Sequence, residues 1–188
     1  MFLLLTRLSD ARAQPCFRKQ IFPGTLRAVG KDQREQLDEL EFRAWQAFVF
    51  AHATVVPRLD QELDAAVGLS LNQFEILTWL ARAGRRGVRM SDLASRVILS
   101  PSGVTRAVDQ LERKGLVERC VFESDKRGSL ATLTAEGRAL LRKAADVHVL
   151  GLREHVFRHL SRTDLERLTT ALEAVLEGEG SAPLATAR

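Results

Sequence analysis

The residues best suited to chemistry lie along one predicted helix that starts near Ser100. Three of them, Ser102, Thr105 and Arg106, point away from the apolar residues of that helix. Short hydroxyls can bind phosphates or base edges, and a guanidinium can bind guanine through two hydrogen bonds. Contact with nucleic acid is therefore predicted for seven residues: Ser100, Pro101, Ser102, Thr105, Arg106, Gln110 and Arg113.

A purely structural interpretation of the same helix stays open. Arg106 and Arg113 are then ordinary solvated charges, and Arg113 pairs with Asp109 at a spacing of four residues. Asp109 and Glu112 are also unfavourable neighbours for a phosphate, because like charges repel. The helix alone does not decide between a DNA contact and a solvated face.

A second basic group lies in a predicted hairpin. Residues 116–122 and 129–134 partly alternate between apolar and polar types, which is typical of short strands. The polar turn between them carries Lys126 and Arg127. At the tip of a hairpin these side chains would reach a minor groove beside the helix, where arginine is favoured.

Capping residues mark the elements that must position these groups. An apolar stripe from Glu35 to about Val67 predicts a long helix, and Pro57 inside it predicts a kink or two abutting helices. Five further helix starts are predicted at hydroxyl caps: Ser70, Ser91, Ser100, Thr134 and Ser161. The predicted fold is mainly α with a small β-wing, a winged helix-turn-helix lobe flanked by long helices.

The charge distribution supports a polyanion-binding lobe within an acidic scaffold. Of 188 residues, 45% are hydrophobic and 28% charged, as in ordinary globular proteins. Residues 82–142 hold 13 Lys/Arg and seven Asp/Glu, whereas residues 35–81 and 143–188 together hold eight and 15. Residues 1–34, with seven Lys/Arg and two Asp, are interrupted by proline and glycine and are predicted to be a disordered basic tail.

Several classes of protein are disfavoured. No apolar run approaches the roughly 20 residues that cross a bilayer. Two distant cysteines, Cys16 and Cys120, make no disulfide framework, so a cytoplasmic location is expected. No paired carboxylates, nucleophile–base set or phosphate-binding glycine loop is found, so we expect neither an enzyme nor a cofactor.

The chain from residue 35 to 178 resembles the MarR family of winged helix-turn-helix transcriptional regulators. In the wing, the family pattern Asp-x-Arg is met by Asp125 and Arg127. Pro57 and the basic tail depart from the common pattern. The resemblance rests on six segments in order: LSLNQFEILTWL from Leu69, MSDLA from Met90, SPSGVTR from Ser100, LERKGLV from Leu111, SDKR from Ser124 and LTAEG from Leu133.

The resemblance implies a homodimer that binds a palindromic operator on double-stranded DNA, usually as a repressor. Ser102, Thr105 and Arg106 would meet the major groove, Arg127 would enter the minor groove, and Asp125 would anchor the wing by pairing with an arginine. The implied boundaries are a basic tail at 1–34, dimerisation helices at 35–67 and 135–178, a winged lobe at about 70–134, and a flexible tail at 179–188.

Relatives of this kind are often released from DNA by small aromatic ligands, which implies an aromatic effector. Five residues would line its pocket, although aromatic residues at helical spacing are more often simple core: Trp45, Phe48, His52, Phe74 and Trp79. Some relatives sense oxidants through a cysteine near the start of the first long helix. Cys16 lies upstream of that position and Cys120 in a predicted strand, so redox sensing is disfavoured.

Two other functions stay open beside DNA-binding regulation. His148, His155 and His159 recur on one predicted helical face, and the last two have the spacing of a zinc pair, which would suit a zinc-responsive regulator on the same scaffold. No carboxylate or cysteine cluster completes that site, so no metal is predicted. The other alternative is a winged helix that serves only as a protein–protein module. A flat salt dependence of DNA binding would favour the module.

Overall fold

The computed structural model describes residues 37–121 and 129–180. The predicted N-terminal tail and the wing tip lie outside the described residues, and of the predicted C-terminal tail the structure describes Glu179 and Gly180. Within the described ranges, no helix combines the length and apolar character that a membrane span requires. The elements are α1 (Glu39–Val67), α2 (Leu71–Ala83), β1 (Val88–Arg89), α3 (Met90–Ala94), α4 (Pro101–Arg113), β2 (Val117–Val121), β3 (Ser129–Leu133), α5 (Ala135–His155) and α6 (Arg162–Gly178).

The chain divides into two compact units, Met1–Trp45 and Gln46–Arg188. In the first unit the structure describes the beginning of α1, where Asp38 and Glu41 cap the helix reciprocally. The amide of Glu41 donates to the Asp38 carboxylate over 2.8 Å, and the amide of Asp38 donates to the Glu41 carboxylate over 2.7 Å. These bonds satisfy amides that a first turn leaves unpaired, so the helix begins later than the apolar stripe predicts.

Helix α1 continues through Pro57 as one element. The predicted alternative of two abutting helices is therefore wrong. A proline within a helix removes the amide that would bond to the carbonyl four residues earlier, here that of Ala53. Both Pro57 and Ala53 are at least partly exposed, so water can reach the carbonyl that the proline leaves without a partner.

The core of the second unit joins the apolar faces of α2, α3, α4 and α5 to one face of the sheet. Four of the predicted caps are confirmed, because each hydroxyl of Ser70, Ser100, Thr134 and Ser161 accepts the amide hydrogen three residues later. The largest fully buried side chains are Leu63, Leu69, Ile76, Leu77, Leu80, Leu93, Leu111, Val104, Val108 and Val117.

The fifth predicted cap, at Ser91, is wrong. Helix α3 begins at Met90, and the residue in the cap position is Arg89, which makes no capping bond through its side chain. The Ser91 hydroxyl instead lies 3.2 Å from the Asp92 carboxylate. The helix starts two residues earlier than a cap at Ser91 predicts, because Arg89 ends a strand and the chain turns directly from strand to helix.

The sheet has three antiparallel strands in the order β1-β3-β2, one more than the predicted hairpin. The hairpin strands pair with Val117 opposite Leu133 and Val121 opposite Ser129. The added strand, interpreted from sequence as part of a basic link, pairs Val88 with Ala131 and Arg89 with Leu130. A strand of two residues has no readable alternation, so only its pairing with β3 reveals it.

Candidate nucleic-acid interface

Helix α4 is built to present one polar face. The Ser100 hydroxyl accepts from the amide of Gly103 over 3.2 Å, and Pro101 occupies the first turn, where its missing amide costs nothing. Val104, Val108 and Leu111 are buried on the inner side. All seven predicted contact residues are exposed: Ser100, Pro101, Ser102, Thr105, Arg106, Gln110 and Arg113.

The hydroxyls on this face have local partners, whereas its two arginines have none within the described part of the chain. Thr105 donates to the carbonyl of Pro101 over 3.1 Å, and the hydroxyls of Ser102 and Ser100 lie 3.3 Å apart. Among the described residues, Arg106 and Arg113 form no ion pair or hydrogen bond. Both guanidiniums are thus available to an external anion, and the predicted pairing of Arg113 with Asp109 is wrong.

The carboxylates of α4 are bound from the sheet instead. Arg119 on β2 places its guanidinium 2.6 Å from Asp109 and 3.7 Å from Glu112, and it donates to the carbonyl of Thr105 over 3.3 Å. The arginine is partly buried, with 23% of its side chain exposed, so solvent screens these contacts less than it would at the surface. Arg119 thereby fixes α4 against the sheet and offsets the two charges that would repel a phosphate.

Gln110 has a role inside the lobe that its exposure does not reveal. The side-chain amide of Gln73, itself 6% exposed, donates to the Gln110 carbonyl oxygen over 2.8 Å. Gln73 also accepts from the amide of Ser70 as part of the α2 cap. Gln110 therefore links α4 to α2, and its contact with DNA stays a prediction.

The turn between α3 and α4 is held from α2. Glu75 accepts a hydrogen bond from the backbone amide of Ile98, a residue whose side chain is 88% exposed. Burial raises the pKa of the Glu75 carboxyl, and the bond from Ile98 opposes that shift. Sequence reasoning missed Glu75 and Arg119, because each acts across elements and neither follows a local spacing rule.

The wing residues Asp125, Lys126 and Arg127 lie outside the described residues, so their roles stay predictions. The strands that lead to them are described, and pairing across the hairpin extends from Val117 to Val121. Of the two cysteines weighed for redox chemistry, Cys16 lies outside the described residues and Cys120 is part of β2.

The shared effector pocket of the five predicted residues stays a prediction. Trp79 lines a cleft of about 430 Å³ beside β1 and α3, which none of the other four lines. Phe74 packs on His148 of α5, with ring centroids 4.8 Å apart. Trp45 and Phe48 are 59% and 50% exposed, and His52 is also exposed.

The three histidines do not share one helical face, so that interpretation is wrong. Helix α5 ends at His155, and His159 lies in a following turn of 3-10 helix. The His155 ring lies 2.6 Å from the Glu62 carboxylate. His148 is partly buried, burial lowers its pKa, and its Nδ1 has no partner among the described residues. Within those residues no three His, Cys, Asp or Glu side chains are grouped to hold a metal ion.

Comparison with known proteins agrees with this architecture. A sequence profile of the MarR family matches residues 67–128. The transcriptional regulator PecS of Dickeya dadantii is 30% identical over 121 residues, which cover 61% of this chain and 73% of PecS. The uncharacterised regulator YdgJ of Bacillus subtilis is 38% identical over 77 residues, and the chain spans 46% of its length.

Solved structures give the same result at the level of the fold. The MarR family regulator Sco3205 of Streptomyces coelicolor, solved in complex with DNA, superposes with a TM-score of 0.71 and 34% identity, over 76% of this chain and 93% of that one. Among further relatives, Rv2887 of Mycobacterium tuberculosis is named a repressor and BadR of Rhodopseudomonas palustris a transcriptional activatory protein. By sequence and by fold, this chain belongs to the MarR family of transcriptional regulators.

Proposed function

We propose that the protein is a homodimeric repressor that binds a palindromic operator through α4 and the wing. The observation that carries the proposal is the polar face of α4, where Arg106 and Arg113 have no partner among the described residues while Arg119 occupies Asp109 and Glu112. The face is cationic as a result, and a helix of this kind can lie in the major groove.

The dimer is supported by apolar side chains that one chain leaves in water. Helix α6 has no fully buried residue, and its large apolar residues Leu168 and Val175 are 43% and 62% exposed. On α5, Leu150 is 64% exposed. A second copy related by a two-fold axis would bury such surfaces and place two winged lobes for the two halves of a palindrome.

Repression and release belong to the same proposal. A regulator that occupies an operator next to a promoter excludes other proteins from it, and the mycobacterial relative named a repressor supports this direction of control. A small aromatic effector would release the complex. A panel of aromatic acids and phenols, titrated into a preformed complex while fluorescence anisotropy is read, tests that part of the proposal.

The test of DNA binding uses a duplex selected by the protein from a random pool. Arg106→Ala is expected to weaken binding by roughly 1–3 kcal/mol and to relax the base preference at one position of each half-site. Arg127→Ala should cost a similar amount, because an arginine in the minor groove also reads its width. Anisotropy titrations measure both effects.

The control is Glu118→Gln, an exposed polar change on β2, which should leave the affinity within about twofold. Wild-type affinity and wild-type base preference in Arg106→Ala would contradict the role of α4. Wild-type affinity in Arg127→Ala would contradict only the role of the wing. A DNA affinity that is insensitive to salt would favour a protein–protein module instead.

A further inference from the structure

We propose that an arginine cleft beside Trp79 binds the phosphodiester backbone of DNA, outside the contacts made by α4 and the wing. The inference rests on the proposed function, because it assigns a second surface of the same lobe to the same partner. Contacts of this kind position a protein on a duplex and carry much of its affinity, without reading sequence.

The cleft lies where the end of α2 faces β1 and α3, and its volume is about 430 Å³. Among the described residues, its lining holds the guanidiniums of Arg82, Arg89 and Arg96 and the carboxylate of Asp92. Two more arginines stand in the adjoining 3-10 turn Gly84–Arg86. The surface is therefore strongly cationic, and a polyanion is the partner that its charge fits.

The Trp79 ring orders two of these cations. The guanidinium carbons of Arg82 and Arg96 each lie 5.1 Å from the centroid of the indole. Neither arginine forms an ion pair or a hydrogen bond with a described residue. A guanidinium held over an aromatic ring keeps its N–H donors available at its edge, and less rotamer entropy is then lost when a phosphate binds.

The cleft lies between two elements that are expected on DNA. Its sheet wall is the pair of Arg89 with Leu130. Leu130 is next to Ser129, where the strand pairing of the hairpin stops just before the tip that is predicted to enter the minor groove. Its helical wall is α3, the first helix of the helix-turn-helix, and in such motifs this helix crosses the backbone. A phosphate strand that passes from the wing toward α3 would therefore run past Arg82 and Arg96.

The experiment compares two duplexes that share a core selected by the wild-type protein. One is the shortest duplex that keeps full specificity, and the other is extended at both ends by unrelated sequence. The double variant Arg82→Gln/Arg96→Gln removes two cations from the cleft. The control Arg142→Gln/Arg153→Gln removes two exposed cations from α5. The measured quantity is the slope of log affinity against log salt concentration.

On the extended duplex, the cleft variant is expected to lower the magnitude of that slope by roughly 0.9 for each phosphate that the protein no longer neutralises, and to weaken binding by about tenfold near physiological salt. The short duplex should be affected less, and the control should behave as the wild type. Trp79→Leu keeps the charge but frees the arginines, so an intermediate reduction in affinity is expected. Melting temperatures verify that each variant is folded.

Wild-type slope and affinity in the cleft variant would overturn the inference while leaving the proposed function intact. Equal reductions in affinity in the cleft and control variants would overturn it too, since they would reflect net charge alone. If the cleft variant binds DNA as the wild type does but aromatic acids no longer release it from DNA, the cleft would be assigned to an effector instead. A wild-type protein that binds no duplex in dilute buffer would overturn both proposals.

Discussion

Arg119 sets the electrostatics of the face that α4 presents. It binds both Asp109 and Glu112 and also donates to the helix backbone at Thr105. Arg119→Ala would leave two carboxylates unpaired beside the DNA. We expect duplex affinity to fall by tenfold or more, about 1.4 kcal/mol, and the melting temperature to fall by a few degrees.

Further substitutions in Arg119→Ala distinguish electrostatic repulsion of the DNA from a loss of protein stability. If repulsion by the carboxylates weakens binding, adding Asp109→Asn and Glu112→Gln to Arg119→Ala should restore much of the affinity without restoring the melting temperature. Arg119→Lys should retain only part of the function, because an ammonium cannot span the carboxylates and the backbone carbonyl as a planar fork does. Full affinity in Arg119→Ala would refute this role.

His148 should make the stability of the protein depend on pH. Burial lowers its pKa in the folded state, so the unfolded chain takes up the proton first as the pH falls through about 6.5. Stability is therefore expected to decrease below that pH and to stop decreasing once the folded form is also protonated. His148→Phe should flatten the dependence of melting temperature on pH between about 8 and 5, whereas His159→Phe, at an exposed site, should not. An unchanged pH dependence in His148→Phe would argue against a lowered pKa for this ring.

At the residue scale, local periodicity predicted the exposed face of α4 but not its ion pairs. Arg106 is exposed because it lies opposite Val104, Val108 and Leu111, which spacing alone reveals. Arg113 and Asp109 have the right spacing for a pair, yet Asp109 is bound by Arg119 from another element. An interaction between elements requires their packing to be known, which no local rule supplies.

Among the elements, the helices with capping residues at their starts were predicted from sequence, whereas the two-residue strand β1 was missed. The caps at Ser70 and Ser161 combine a hydroxyl with an acceptor side chain three residues later, and both reciprocal bonds form. At Asp164, the hydrogen bonds from Ser161 lower the pKa of the carboxyl, as expected for a capping acid. Strand β1 exists only through its pairing with β3, so its two residues carried no signal.

The link that leads into β1 offers a matched pair of glycines. Gly84 and Gly87 have similar positive φ angles of 63° and 66°. A Cβ at Gly84 would meet nothing within 4 Å, whereas one at Gly87 would lie 2.8 Å from the carbonyl oxygen of Ala131 and from Cγ2 of Thr132. Gly84, with φ 63° and ψ −138°, has a backbone conformation that is nearly restricted to glycine, so Gly84→Ala should cost about 1–3 kcal/mol of unfolding free energy from backbone strain alone.

Gly87→Ala should cost more than Gly84→Ala, because it adds a clash with the backbone of β3. Denaturant unfolding of the two variants measures the difference directly. Equal destabilisation would mean that the backbone at Gly87 does not approach β3 as closely as described. The comparison tests the third strand independently of any DNA.

For the whole molecule, the main consequence of the structure is that no residue of α6 is fully buried within one chain, and its leucines Leu165, Leu172 and Leu176 are only partly buried. A helix with an apolar stripe and no buried residue is poorly stabilised by itself. Leu168→Lys/Val175→Lys is expected to give a monomer and to weaken DNA binding at least tenfold, since a monomer engages one half-site. Light scattering on a sizing column measures the mass.

The control for that variant is Glu173→Lys, at an exposed polar position of the same helix, which should leave the dimer intact. A dimer that survives both apolar substitutions would place the interface elsewhere. The resemblance from sequence predicted the family and the arrangement of helices, but the exposure of α6 needed the structure, because apolar periodicity does not tell which partner covers it.

The most direct test is to mix the purified chain with a duplex that it has itself selected, and to weigh the complex by native mass spectrometry at several salt concentrations. The proposal requires two chains on one duplex, with half-sites centred about one helical turn apart and occupancy that falls steeply as salt rises. One chain per duplex, or no complex at the lowest salt, would contradict it.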